Sequence, residues 1–170
     1  LDYLIYTGSY FYKPNKDAID YLNNFIMPKL IIRYPKLKLV LTGGGFNSKK
    51  YPWIINKGVV SKSNLYSLLF FSKGLCVPLK FGSGTRIKIL EALCLGSIVI
   101  SSKKGIEGID LKSINPPYII NRDSDYINKI FKILKYNKKI KNKSIKNKRY
   151  YLKKYSMIEI IKKFIHENKI

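Results

Sequence analysis

Between Lys80 and Gly96, in the stretch KFGSGTRIKILEALCLG, glycines, cations and one carboxylate stand at spacings that suit anion chemistry. Gly82 and Gly84 flank Ser83 and lead into a helix predicted over Arg86 to Leu95, whose opening carries Thr85, Arg86 and Lys88. Glycine lets backbone approach a ligand closely, and a helix start presents unpaired N–H groups and the positive end of its dipole. Cations belong at the other end of a helix, so Arg86 and Lys88 cost stability here unless an anion answers them. Phosphate is the anion this arrangement fits; the competing reading is a tight turn with basic residues by chance. Glu91 is the lone charge between Ile89 and Leu95 and needs donors in that apolar setting, from a ligand's hydroxyls, from Arg86, or from a nearby lysine.

The elements that must position these residues alternate strand and helix, the pattern of a parallel sheet with crossover helices on both faces. Tyr3 to Tyr6 reads as a strand running into Gly8 and Ser9. Asn15 to Arg33 reads as a helix, with Asn15 as N-cap and a kink or break at Pro28. Leu37 to Thr42 is a strand apolar enough to be buried on both faces, stopped by Gly43, Gly44 and Gly45. A weaker strand over Lys57 to Val60 precedes a helix from Asn64 to Ser72. A strand from Gly74 to Leu79 then leads into the glycine loop, and Gly96 closes the next helix at C′. Strands over Ile98 to Ser101 and Tyr118 to Ile120 follow. The remainder from Asp123 reads as helix, with a lysine-rich helix near Lys139 to Lys154 and a terminal one from Ile158 to Asn168. The fold class is α/β, a Rossmann-like sheet in a single domain over 1–170, with 139–170 a basic helical segment.

A chain of 170 residues, 46% hydrophobic and 14% aromatic, can bury one real core. It holds no apolar run long enough to cross a bilayer. Cys76 and Cys94 sit in apolar runs, as buried free thiols in a reducing compartment would. With His166 the one histidine, Ser-His-Asp and Cys-His chemistry have little support. The net charge of +23 comes from 29 Lys and only 4 Arg. Lys, Asn, Ile, Tyr and Phe supply 90 of the 170 residues, and all have AT-rich codons, so codon bias accounts for the charge better than a nucleic-acid surface does. Scarcity of Arg, whose forked guanidinium reads bases and clamps phosphates, points the same way. From Lys129 to Lys154 there are twelve basic residues and no acid, by default a solvated face, with an anionic membrane surface as the functional rival. GGGFNS reads as a turn and not a dinucleotide fingerprint, because it follows the second strand.

The stretch GSGTRIKILEALCLGSIVISSKKGIEG resembles the donor-binding half of glycosyltransferase family 4, in the subgroup carrying GSGTR. The likeness continues in YTGSYFYKPNKDAIDYL, LKLVLTGGG, INKGVVSKSNLYSLL and the short motif YSMIE (Tyr155 to Glu159), about 150 residues in the family's order. It implies one lobe of the two-lobed B-type fold, binding a nucleotide diphosphate sugar and transferring the sugar with retention to a glycan or lipid-linked acceptor. The acceptor lobe is expected to be missing or on a separate chain, so this lobe alone would be inactive. Glu91 matches the glutamate that holds the ribose hydroxyls; the family's first glutamate falls at Ser83 and is absent, with glycine-rich backbone from Gly82 to Thr85 in its place. Ser9, beside Gly8, stands where many members carry an arginine for the diphosphate, which leaves Arg86 and Lys88 as the catalytic cations. Gly58, Val59 and Val60 would offer backbone groups to the base. No metal or other cofactor is expected, and the location implied is cytoplasmic, at most peripheral to a membrane. The rival expectations are a non-catalytic nucleotide-sugar-binding module and a basic membrane- or nucleic-acid-binding domain.

Overall fold

Five parallel pairings build one sheet of six strands, in the order β3-β2-β1-β4-β5-β6. The computed structural model describes residues 1–47, 51–83, 86–110, 118–120 and 123–155, with 123 and 124 described by backbone alone. The strands are β1 (Tyr3–Thr7), β2 (Lys38–Thr42), β3 (Ile54–Asn56), β4 (Gly74–Val77), β5 (Val99–Ser102) and β6 (Tyr118–Ile120). The helices are α1 (Lys13–Tyr21), α2 (Met27–Arg33), α3 (Lys62–Phe71), α4 (Ile87–Cys94), α5 (Asp123–Lys135) and α6 (Asn137–Tyr155). All five residues of β1 are buried, as a strand flanked on both sides by β2 and β4 must be. On one face α2 packs with α5, and on the other α4 packs with α3 and α6. This is the α/β architecture read from the alternating pattern.

Local differences have local causes. The helix expected over Asn15 to Arg33 is divided by a π-helical turn at Leu22–Ile26, and Pro28 sits in the opening turn of α2, where a missing N–H is no loss. That turn is also where Asn23 accepts the Trp53 indole N–H at 2.8 Å, tying it to the edge of the sheet. Asn15 is not the N-cap: α1 starts at Lys13 with Pro14 in its first turn, and Asn15 is drawn inward by buried polar partners described below. The strand expected at Lys57 to Val60 lies earlier, at Ile54–Asn56, because Gly58 turns the chain away at φ +60°. α3 begins two residues ahead of expectation, capped by the Ser61 hydroxyl. Cys76 is buried and Cys94 half-buried, both free. The terminal helix expected from Ile158, the YSMIE motif after Tyr155, and His166 lie outside the described residues.

The turns after β1 and β2 touch backbone to backbone. Gly43 has φ +111°, and a Cβ there would lie 2.5 Å from the carbonyl carbon and oxygen of Gly8. No side chain can move aside to relieve that contact. Gly43→Ala should therefore lose about 2 kcal/mol or more in urea unfolding. Gly58→Asn, in open space with φ tolerable to Asn, should stay within about 0.5 kcal/mol of wild type.

Candidate functional site

Because β1 has β2 on one side and β4 on the other, the chain leaves these two central strands in opposite directions, which opens a crevice at their carboxyl ends. The turns that line it are Gly8-Ser9 after β1, Gly43 to Gly45 after β2, and Lys80 to Ser83 after β4, the last running toward the start of α4. The wall is fixed by backbone: Gly8 donates to Thr42 O at 2.9 Å, Tyr10 to Gly44 O at 2.9 Å, and Gly43 to Gly58 O at 2.7 Å.

Lys88 reaches from the first turn of α4 into this crevice. Its ammonium donates to Asn15 Oδ1 at 2.8 Å and to the Tyr6 hydroxyl at 3.2 Å, and it lies 4.3 Å from the centre of the Tyr6 ring. Tyr6 donates to the same Asn15 oxygen at 2.8 Å, while the Asn15 amide donates to Ser9 O at 2.9 Å. Glycine at position 8 permits the approach, since a Cβ there would lie 2.9 Å from Lys88 Nζ. Among the described residues Lys88 has no carboxylate partner. Desolvation, with Arg86's charge adding to it, lowers its pKa from 10.5 to about 7. Composition and spacing marked Lys88 but gave no sign of Asn15 and Tyr6, which come from elements 70 and more residues earlier.

Arg86 departs from the expectation. It is the N-cap residue of α4, 9% exposed, and it is answered from within the protein. One terminal nitrogen lies 3.3 Å from Glu107 Oε2 and donates to Gly82 O at 3.2 Å; the other donates to Ser83 O at 3.4 Å. Arg86 thus straps the glycine loop onto α4, although its buried Nε–H has no acceptor among the described residues. Glu107 also pairs with Lys104 at 2.6 Å, and that hydrogen bond, more than Arg86, holds its carboxyl below the usual range. Nothing in the sequence singled out Glu107; only the turn after β5 brings it alongside.

The other candidates spread along the same rim. Glu91 is half-buried in α4, accepts from the Tyr66 hydroxyl of α3 at 3.4 Å, and has no ion pair among the described residues, so the internal lysine partner is not found. Ser9 is half-buried with its hydroxyl accepting from Phe11 N at 3.3 Å. Gly82 turns at φ +116° and Ser83 is exposed. Gly58's backbone is engaged at both ends, its N–H by Asn56 and its carbonyl by Gly43, whereas Val59 is 85% exposed and Val60 half-buried. Gly84 and Thr85 lie outside the described residues.

A parallel sheet in this order, with a glycine-lined crevice at its switch point, defines a Rossmann-like lobe. The family model described as glycosyl transferases group 1 matches residues 2–135, and the chain belongs to that family. Solved structures agree on the fold. TarM of S. aureus superposes with a TM-score of 0.74 at 14% identity, over 97% of this chain and 34% of its own. HepE of Anabaena, crystallised with UDP and glucose, gives 0.72 at 12% identity, over 98% and 48%. The catalytic domain of the Helicobacter pylori cholesterol-alpha-glucosyltransferase gives 0.62 at 18%, over 89% and 97%. The chain thus has the fold of a B-type glycosyltransferase lobe and spans about a third of TarM and about half of HepE. No curated relative matches the sequence.

The lowered pKa of Lys88 has a consequence for stability. Between about 7 and 10.5 the unfolded chain holds more protons on this lysine than the folded one, so its penalty is complete below about pH 7 and fades as pH rises toward 10.5. Lys88→Met should accordingly stabilise the ligand-free protein by about 1–3 kcal/mol near neutral pH and below, despite two lost hydrogen bonds. Urea titrations across pH should show that gain shrinking on the alkaline side.

Proposed function

We propose that this chain is the donor-binding lobe of a glycosyltransferase, holding a nucleotide diphosphate sugar at the switch point while a glycan or lipid-linked acceptor is offered by a second lobe. The observation that carries the reading is Lys88: an ammonium held in a glycine-lined crevice at a helix start, hydrogen-bonded only to neutral groups. Burying a cation without an opposite charge costs stability, and a diphosphate would remove that cost. The orphan Nε–H of Arg86, beside the glycine loop, is a second donor that a phosphate oxygen would satisfy.

On this reading Glu91 accepts from the ribose hydroxyls, its carboxylate meeting one weak partner in Tyr66. Val59 and Val60 supply backbone to the base, and Gly8, Ser9, Gly82 and Ser83, with Gly84 and Thr85, line the diphosphate. As the bond from the anomeric carbon to the diphosphate oxygen breaks, its electron pair moves onto the diphosphate. Lys88 and Arg86 face that growing charge, so their contribution rises toward the transition state. Family likeness implies retention at the anomeric carbon. HepE was crystallised with UDP, which makes UDP the natural probe.

Calorimetry with UDP and with uridine separates the roles. Lys88→Met should weaken UDP about tenfold or more and leave uridine nearly unchanged, since only the diphosphate meets the ammonium. Glu91→Gln should weaken both ligands to a similar degree, because both carry the ribose. Equal loss of UDP and uridine in Lys88→Met would remove Lys88 from the diphosphate site. Wild-type protein that binds neither would overturn the donor-binding reading.

A further inference from the structure

We propose that the outer face of α6, with the exposed end of α3 beside it, is a docking surface for an anionic lipid bilayer. This surface is separate from the donor crevice and does not depend on it. α6 has two faces of unlike character. Ile140, Asn147 and Tyr151 recur at helical spacing and are buried. Ile145 packs its backbone so closely on Gly96 that a Cβ there would lie 2.9 Å from the Ile145 Cα. The opposite stripe is Lys139, Asn142, Lys146, Arg149 and Lys153, spaced three and four residues apart and exposed throughout. Most of the apolar side of α6 is thus used by the protein, and the stripe opposite it is basic.

Charge alone would make a solvated face. The second observation is where large apolar side chains are left uncovered. Phe71 is 72% exposed at the end of α3, set edge-on to Phe70 with ring centres 5.2 Å apart. Lys141 of α6 joins this pair to the basic helix, donating to Phe70 O and lying 4.5 Å from the Phe70 ring centre. Burial against the end of α3 lowers its pKa to about 8. Ile145 and Leu152, one heptad apart on the flank of the basic stripe, are each 42% exposed. Among the described residues from 129 to 154 there is no acid to neutralise the stripe. Basic residues to hold a negative surface, with aromatic and aliphatic side chains to enter its interface, are the complement of acidic headgroups over acyl chains. A nucleic-acid duplex would use the charge but has no call on Phe71. No described helix is long and apolar enough to cross a membrane, so the contact is with the surface.

Vesicle flotation tests the assignment, using phosphatidylcholine alone and phosphatidylcholine with one part in three phosphatidylglycerol. Wild-type protein should float with the anionic vesicles and remain behind with the neutral ones. Replacing Lys139, Lys146, Arg149 and Lys153 together by Gln should weaken that binding a hundredfold or more, at about fivefold per cation near an acidic surface. Phe71→Ser, at a site exposed enough to leave the fold intact, should weaken it severalfold and abolish whatever binding survives about 1 M salt, where charge is screened. Unchanged melting temperatures would confirm that both variants fold. Equal flotation with both vesicle types, or anionic binding indifferent to the four-site variant, overturns the proposal. So does single-stranded RNA that binds more tightly than the vesicles, whether through charge alone or through a base stacked on Phe71, which would give the face to nucleic acid.

Discussion

The ammonium of Lys88 joins three elements that the sequence keeps far apart. It extends from α4, rests on the Tyr6 side chain of β1, and is held by Asn15 from α1, with the backbone of Gly8 close by. Each contact is to a neutral group. The fold therefore carries a cation in a place that water has largely left, and it tolerates this through a hydroxyl, an amide oxygen and an aromatic face. A Cβ at position 8 would crowd both the Asn15 amide and the ammonium, and a hydrophobic residue at 15 would leave the ammonium with the Tyr6 hydroxyl as its one acceptor among the described residues. The arrangement holds its charge without a carboxylate partner among the described residues.

Arg86, only two residues away, is handled in the opposite manner. Its guanidinium is answered by Glu107, and its terminal nitrogens also donate to two carbonyls of the glycine loop, leaving Nε–H without an acceptor among the described residues. The planar fork suits this, since it can span a carboxylate and backbone at once, whereas an ammonium is a point charge. The two cations divide the labour: Arg86 shapes the loop, and Lys88 keeps its charge unmatched. Glu107 is in turn shared with Lys104 and largely exposed, so the Arg86 pair is a partial screen and leaves positive potential at the crevice.

The outer surface of α6 follows a different logic. α6 packs along α4, with the Ile145 backbone against Gly96, which fixes the helix over the element that begins at the crevice. What remains outward is basic by composition and patterned by helical spacing. A charge excess that codon usage can explain thereby becomes a surface of definite shape, beside an aromatic pair of which Phe71 is largely exposed.

Much of this protein was legible in its sequence. The unbroken apolar run at Leu37 to Thr42 could only be an interior strand, glycines marked the ends of strands where the crevice forms, and Pro28 marked where a long helix had to change its path. The family stretch from Gly82 to Gly108 carried the site's cations and its carboxylate. Those features are local, set by side-chain periodicity, missing Cβ atoms and a missing N–H, and a chain displays them wherever it folds. The partners of the charges were not legible. Asn15 looked like a cap, since Asn after Pro suits a helix start; only the register of β1 beside β4 placed it against Tyr6 and Lys88. Arg86 looked unanswered, since Glu107 is 21 residues downstream across a strand. Whether a buried charge is matched depends on distances between elements, and the crossing of the sheet at its switch point fixes those distances, not neighbours along the chain.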